Sequence, residues 1–304
     1  MAKVVLAGGS GFIGKILAAH FTGKGDDVIV LTRGANKTVK AVQFVQWDGK
    51  TTGPWVAQLE GSDVLINLTG KSVNCRYNEK NKAEILNSRL NATRVLGEAL
   101  GMLSAPPAVW INTASATIYR HAEDRPQDEY DGEIGEGFSV DVCKAWEATF
   151  FERNIPGIRQ IGLRVAIVLG KDGGVMPYYL NLVKFGLGGK HGNGRQYFSW
   201  IHEIDLTAII DLLISRSDLE GIFNVSSPNP IPNFELMRVI RQVLHMPFGL
   251  PANKWMLTIG SYILRTEMEL VMKSRRVIPT RLLRAGYVFK VKAIREAVEL
   301  CSKS

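Results

Sequence analysis

The stretch Lys3-Val4-Val5-Leu6-Ala7-Gly8-Gly9-Ser10-Gly11-Phe12-Ile13-Gly14 decides the fold. A short apolar run leads straight into glycines, and an apolar-periodic segment, Phe12 to Phe21, follows them. The reading is strand, turn, helix. Each glycine meets a physical need. Gly8 permits the tight turn, Gly11 lets the backbone approach a pyrophosphate, and Gly14 lets helix and strand pack closely. The helix start then offers free N–H groups and partial positive charge to a phosphate. Glycine spacing alone is weak; a strand before it and a helix after it make it specific. Gly8, Gly11, Phe12, Ile13 and Gly14 are therefore expected to hold a dinucleotide.

The next strand, Asp27 to Thr32, chooses between cofactors. An acidic residue at its end would hydrogen-bond the ribose 2′-hydroxyl of NAD. The sequence has Thr32-Arg33 instead, and arginine accommodates a 2′-phosphate, so NADP(H) is expected in preference to NAD(H). Thr69-Gly70-Lys71-Ser72 contains the end of a P-loop motif, but the glycine required five positions before Gly70 is Leu65.

Outward from this unit, strands and helices alternate. Val42 to Trp47, Ser62 to Leu68, Val109 to Thr113, Ile158 to Leu169 and Gly221 to Val225 read as strands. Asn78 to Leu103, Ser139 to Arg153 and Asp205 to Ser215 read as helices. Such alternation predicts an α/β fold: a Rossmann-type doubly wound parallel sheet with crossover helices, and a smaller, mainly helical C-terminal substrate lobe. At about 150 residues per domain, 304 residues suggest two lobes. We place the dinucleotide-binding domain at 1–170 with 200–226. The substrate lobe takes 171–199 with 227–304. A glycine-rich loop from Gly173 to Gly194 is long enough to be functional.

Composition excludes several classes. Three dispersed cysteines, Cys75, Cys143 and Cys301, argue against a disulfide scaffold or a cysteine zinc site and suit a reducing cytoplasm; no metal is expected. No apolar run approaches the roughly 20 residues of a membrane span. The glycines near the N-terminus argue against a targeting segment. Net charge is +8, with Lys273, Arg275, Arg276, Arg281, Arg284, Lys290, Lys292 and Arg295 crowded late in the chain. The plain reading is a solvated face paired with Glu267, Glu269 and Glu296; the sharper one is a phosphate-binding surface. No nucleic-acid motif accompanies it, so neither nucleic acid nor membrane is expected as a partner.

These motifs resemble the extended short-chain dehydrogenases/reductases. G-x-x-G-x-x-G at Gly8, Gly11 and Gly14 is the form used there. Asn67-Leu68-Thr69-Gly70 resembles their N-x-A-G segment, and Ser115-Ala116-Thr117-Ile118-Tyr119 resembles the S-A-x-x-Y of nucleotide-sugar epimerases. Leu163-Arg164 through Gly170 resembles their L-R-x-x-x-V-x-G strand, and Phe198 to Leu206 resembles F-x-x-H-x-x-D. The chain is more similar still to an atypical branch, the YfcH-type epimerase family, through Ser88-Arg89, Cys143-Lys144-Ala145-Trp146-Glu147 and Phe198-Ser199-Trp200-Ile201-His202. That branch carries a C-terminal domain of unknown function whose pattern resembles Ser274 to Pro279 and Ala285-Gly286-Tyr287.

The resemblance implies cofactor contacts at Thr32, Arg33, Leu68, Thr69, Gly70, Glu84, Arg89, Lys144 and Val168. Glu84 and Arg89 can also be a polar helix face. The superfamily needs Y-x-x-x-K, in which a phenol exchanges the proton and the lysine lowers its pKa. Lys144 is the plausible lysine, but Val140 stands four residues before it. Candidate substitutes are Tyr119 and His202, and less so Cys143 and Asp141; Glu147 more naturally pairs with Lys144 or Arg164, and Ser115 remains a donor to a substrate oxygen. The substrate wall would hold Arg76, Tyr77, Arg195, Gln196, Trp200 and His202. Two functions compete: an NADP(H)-dependent oxidoreductase or epimerase-like enzyme acting on a hydroxyl or carbonyl of a nucleotide sugar or other anionic metabolite, and a non-catalytic NADP(H)-binding sensor. Pairing of the two long helices as a homodimer is implied by analogy alone.

Overall fold

The structure, a computed structural model, describes residues 1–253, 255, 267 and 269–303. The parts of the expected substrate lobe at 254, 256–266, 268 and 304 lie outside the described residues. The core motif is β1 (Lys3–Ala7), α1 (Phe12–Gly23) and β2 (Asp27–Thr32). β3 (Lys37–Val39), β4 (Val42–Gln46), β5 (Val64–Asn67), α2 (Glu79–Leu100), β6 (Val109–Ser115), α3 (Phe138–Phe151) and β7 (Arg159–Val165) follow. Then come β8 (Ile167–Gly170), β9 (Gly173–Gly174), α4 (Met176–Lys184), β10 (Tyr197–Phe198), β11 (Trp200–His202), α5 (Glu203–Ser215) and β12 (Gly221–Val225). β13 (Ile231–Pro232), α6 (Asn233–Val243), the short α7 (Glu269–Met272) and α8 (Thr280–Arg284), and α9 (Ile294–Ser302) complete the described elements.

The large sheet runs β12-β7-β6-β5-β1-β2-β4-β3, parallel throughout except for the β3–β4 edge. Its central strands are apolar on both faces because helices cover both. α1 and α5 bury Leu17, Phe21, Leu206 and Ile209 against one face, while α2 and α3 bury Val95, Leu96 and Phe150 against the other. Strand order reverses beside β1, which sets the cleft at the carboxyl ends of β1 and β5. This is the expected doubly wound fold.

One expected strand is two. The run Ile158 to Leu169 carries one glycine, Gly162, and that lies inside the first strand and does not mark the break. Yet β7 ends at Val165 in the large sheet, and β8 joins a second sheet in the order β11-β8-β9. Ala166 makes the step, its N–H donating to Val225 O (3.0 Å). Trp200 and His202, read from sequence as wall residues, are interior to that second sheet. A third core, including Trp200, Met237, Ile240 and Val298, unites α4, α6 and α9. Buried Asp205 on α5 anchors the C-terminal chain, accepting from the Tyr287 hydroxyl (2.7 Å), Lys290 N–H (2.8 Å) and Val291 N–H (2.9 Å).

The late basic residues divide: Arg284, Lys290, Lys292 and Arg295 are exposed, as the plain reading expects, while Lys273, Arg275, Arg276 and Arg281 are drawn inward. Arg281 donates to the carbonyls of Ile222 and Glu220 and lies 4.1 Å from the Phe223 ring centre. Arg276 donates to Asp124 O and lies over Tyr197. Lys273 and Arg275 are buried, each 9% exposed. The expected carboxylate partners are used selectively: Glu269 faces Lys273, while Glu267 takes the Tyr77 N–H.

Candidate cofactor cleft and reacting end

The glycine loop has the conformation its composition dictates. Gly8 sits at φ +73°, and a side chain there would strike Thr69. A Cβ on Gly14 would lie 2.1 Å from Gly9 O, so only glycine lets α1 start this close to the loop. A Cβ on Gly11 would meet nothing within 4 Å. Gly11 faces an open cleft of about 2060 Å³.

That cleft brings together Gly8, Gly11, Thr32, Arg33, Leu68, Thr69, Gly70 and Glu84 of the expected cofactor residues. Arg33 is exposed at the end of β2 and, among the described residues, has no ion pair. Asn67 shapes the Leu68–Gly70 turn: its Oδ1 accepts the Thr69 N–H (3.0 Å), and its Nδ2 donates to Asn112 (2.7 Å) and Thr93 (3.1 Å). Thr69 Oγ1 is buried with no hydrogen-bond partner, a cost a bound polar group would relieve. An open Gly11, an Arg33 with no ion pair among the described residues and an orphaned Thr69 hydroxyl together fit a dinucleotide.

Glu84 and Arg89 act on the loop. Lys71 pairs with Glu84 and donates its N–H to Ser88 Oγ, and Arg89 donates to Lys71 O (3.1 Å) while lying over Trp146. Phe12 packs beneath Gly173 and Gly174, Ile13 against the core, and Val168 is buried within it. Expected as cofactor contacts, these three belong to the core and do not line the cleft.

The catalytic candidates divide. Ser115, at the end of β6, donates to Thr117 Oγ1 (3.0 Å) on the single turn Ala116–Ile118. Tyr119 is not in the cleft. Its hydroxyl donates to Asn224 Oδ1 (3.0 Å) and accepts from Arg164 (2.9 Å), and burial pushes its pKa up. Sequence places it near a strand end but cannot show that the turn swings its ring toward β7 and β12. His202 caps α5, its Nδ1 accepting the Ile204 N–H (3.3 Å), and burial holds its pKa below the ordinary histidine value. Glu147 grips Arg164 through two 2.8 Å bonds, the second of the pairings weighed from sequence. Lys144 is exposed on α3 and does not line the cleft. The buried face of α3 carries Val140 and Cys143 toward Ala116 and Ile118, and burial pushes the Cys143 thiol up to about 11. Asp141 is exposed.

Of the substrate-wall candidates, Trp200 is fully buried, with its indole N–H on Asn229 O (3.1 Å), because it packs into the core shared with Leu236, Met237 and Val298. Arg195 is exposed, 3.6 Å from Glu123. Gln196 is buried and lines a nearly closed cavity of about 20 Å³ with Tyr179, Lys273 and Arg275. Tyr77 sits edge-on to Phe138, and the Arg76–Tyr77 pair meets Glu267. Sequence reading names Lys273, Glu269 and Arg275 only as part of the late basic run and its carboxylates, and misses their meeting with Thr117 and Ser139. Lys273 donates to Thr117 O (2.9 Å), Arg275 to Thr117 Oγ1 (3.2 Å), and Ser139 to Glu269 (3.1 Å). Their signal was charge placed beside the Ser274–Pro279 pattern, which by itself reads as surface.

Comparison with known proteins adds independent findings. The model of the NAD dependent epimerase/dehydratase family matches residues 4–226, and a domain of unknown function, DUF1731, matches residues 254–300. The epimerase family protein YfhF of Bacillus subtilis is 32% identical over 288 residues, 94% of this chain and 93% of its own. The human epimerase family protein SDR39U1, solved with NADPH, superposes with a TM-score of 0.86 at 27% identity, covering 99% of each chain. The UDP-N-acetylglucosamine 4-epimerase of Bacillus cereus shares the fold at 16% identity, with a TM-score of 0.75 over 98% of this chain and 94% of its own.

Proposed function

This chain belongs to the NAD dependent epimerase/dehydratase family, and on that premise we propose that it is an NADP(H)-dependent enzyme acting on a hydroxyl or carbonyl substrate. The observation that carries the reading is Arg33. An exposed guanidinium without an ion pair shares one cleft with the open Gly11 backbone and the unpartnered Thr69 hydroxyl. A 2′-phosphate would take Arg33, a pyrophosphate would take the α1 N-terminus at Gly11, and Thr69 Oγ1 would gain its missing bond. The NADPH in the human relative supports the phosphorylated form. When bound, NADPH would supply the hydride. The protein's part is to hold the ribose and phosphates at β1, β2 and β5 and to seat the substrate oxygen near Ser115 on β6. The substrate would enter between the sheet and the C-terminal lobe. Nucleotide sugars or other anionic metabolites suit the cations there.

The test is calorimetric titration of the purified chain with NADPH, NADH, NADP and NAD. Tight NADPH binding with much weaker NADH binding is expected; no binding of any of the four would overturn the reading. A second reading, a non-catalytic NADP(H) sensor, is favoured by Val140, which is fully buried where the family's tyrosine would stand. NADPH binding without turnover across a broad panel of carbonyl substrates would favour it.

A further inference from the structure

We propose that Lys273, delivered by the C-terminal segment, is the group that gives and takes the proton at the reacting end of the cleft. The inference rests on the redox reading above. Val140 is apolar, Cys143 is buried, Tyr119 is committed to Asn224 and Arg164, His202 caps a helix, and Asp141 and Lys144 are exposed on α3 away from the cleft lining.

Lys273 is placed for the work. A polar chain crosses the space between α3 and the end of β6. Ser139, beside the position where the family's tyrosine is expected, donates to Glu269 (3.1 Å). Glu269 faces the Lys273 ammonium at 3.9 Å, and Lys273 donates to Thr117 O (2.9 Å). Thr117 Oγ1 accepts from Ser115 (3.0 Å). Lys273 and Ser115 are thus tied to one residue, Thr117. One N–H of the ammonium is used by Thr117, which leaves the others for Glu269 and a substrate oxygen.

Charge makes the proton transferable. Three cations, Arg89, Lys273 and Arg275, lie around Cys143, and Glu269 is the one carboxylate among them with a direct contact to Lys273. Residues outside the described ones include no Asp or Glu. Burial, then the neighbouring Arg275, hold Lys273 below the ordinary lysine range; Glu269 and the Cys143 thiol act in the opposite direction. Burial pushes the nearby Tyr77 phenol the other way, up.

The step balances. A substrate carbonyl carbon accepts a hydride supplied by NADPH as the C=O π bond opens, and its oxygen accepts one proton from the Lys273 ammonium. The products are a C–H and an O–H bond, and the neutral amine regains its proton from water. In the reverse direction the neutral amine removes the hydroxyl proton.

The test is trace acetylation of the full wild-type chain with acetic anhydride across pH, with Lys273 read by peptide mass spectrometry. Its reactivity should titrate below that of the same lysine in the urea-unfolded chain. NADPH at about 100 times its Kd should reduce labelling of Lys273 roughly tenfold, whereas ADP-ribose 2′-phosphate, which lacks the nicotinamide, should not. Titration at the unfolded-chain value, no protection by NADPH, or equal protection by both ligands would each overturn the proposal. Lys273→Met should keep NADPH affinity within about threefold, since the phosphates bind elsewhere. If that variant does not fold, the wild-type labelling still decides. Failure of NADPH to bind the wild type would sink the redox reading; bound NADPH with unprotected Lys273 would sink this inference alone.

Discussion

Arg33 and two glycines carry the cofactor argument at the residue scale. Replacing Arg33 with Ala removes a charge-assisted bond of about 1.5–3 kcal/mol. The ratio of NADPH to NADH affinity should fall by roughly one to two orders of magnitude, and an unchanged ratio would remove Arg33 from 2′-phosphate recognition. Gly11 and Gly14 should fail in different ways. Gly14→Ala forces a Cβ to 2.1 Å from Gly9 O, so the fold should lose about 2 kcal/mol or more in denaturant melts. Gly11→Val has open space, so stability should hold while NADPH affinity drops roughly tenfold or more, about 1.4 kcal/mol. Equal stability losses in the two variants would contradict this division. Both glycines were legible from spacing. Which one touches ligand space and which one touches backbone was not, because that depends on where the loop doubles back.

Helix α3 shows how an element can keep its place while its chemistry changes. Its N-terminal turn offers Val140 where a phenol is expected, and its next turns bury Cys143, Trp146 and Glu147. Trp146 donates to Thr93 on α2 (2.9 Å), which also meets Asn67, so one hydrogen-bonded path links α3, α2 and the Thr69 turn. Glu147 and Arg164 form a buried bidentate pair, each side chain about a tenth exposed, and Arg164 also steadies Tyr119. Arg164→Met strands a buried carboxylate and should cost about 3–5 kcal/mol, read as a lowered denaturation midpoint. Adding Glu147→Leu removes the stranded charge and should recover much of that loss. No recovery in the double variant would show that the pair holds α3 by shape instead. The pairing of Glu147 with Arg164 was anticipated among two options; the register that buries Glu147 and exposes Lys144 was set by α3 packing on α2 and β6.

At the scale of the whole molecule, the C-terminal chain is built into the site. Ser199, on the path into β11, donates to Arg275 O (2.6 Å) and accepts the Val277 N–H (2.8 Å), so the Ser274–Val277 segment is locked between β11 and the Tyr119 loop. Buried histidines give this assembly a pH dependence. His191 and His202 are both held by burial below the ordinary value of about 6.5. The unfolded chain therefore binds more protons, so their contribution is complete above about 6.5 and is lost as pH falls toward the folded values. His202→Asn keeps a capping oxygen and removes one of these titrations. Its melting temperature should fall less than that of the wild type between about pH 7.5 and 5.5. Parallel curves would show that His202 does not titrate in this window. No helix among the described residues is long and apolar enough to cross a membrane.

By itself, the sequence determined the doubly wound sheet, the glycine turn, the strand end that presents Arg33, and the absence of the usual phenol on α3. These follow from local rules: apolar periodicity sets the elements, and a turn at fixed spacing sets where a phosphate can approach. Only the tertiary structure decided that Tyr119 and His202 are structural. Their hydroxyl and imidazole find partners, Asn224 and the α5 backbone, through packing that periodicity does not encode. Only the tertiary structure carried Lys273 and Arg275 to Thr117, more than 150 residues away in sequence (separations of 156 and 158). A charged residue reads as surface until a distant segment supplies the carbonyl and hydroxyl that make its burial tolerable.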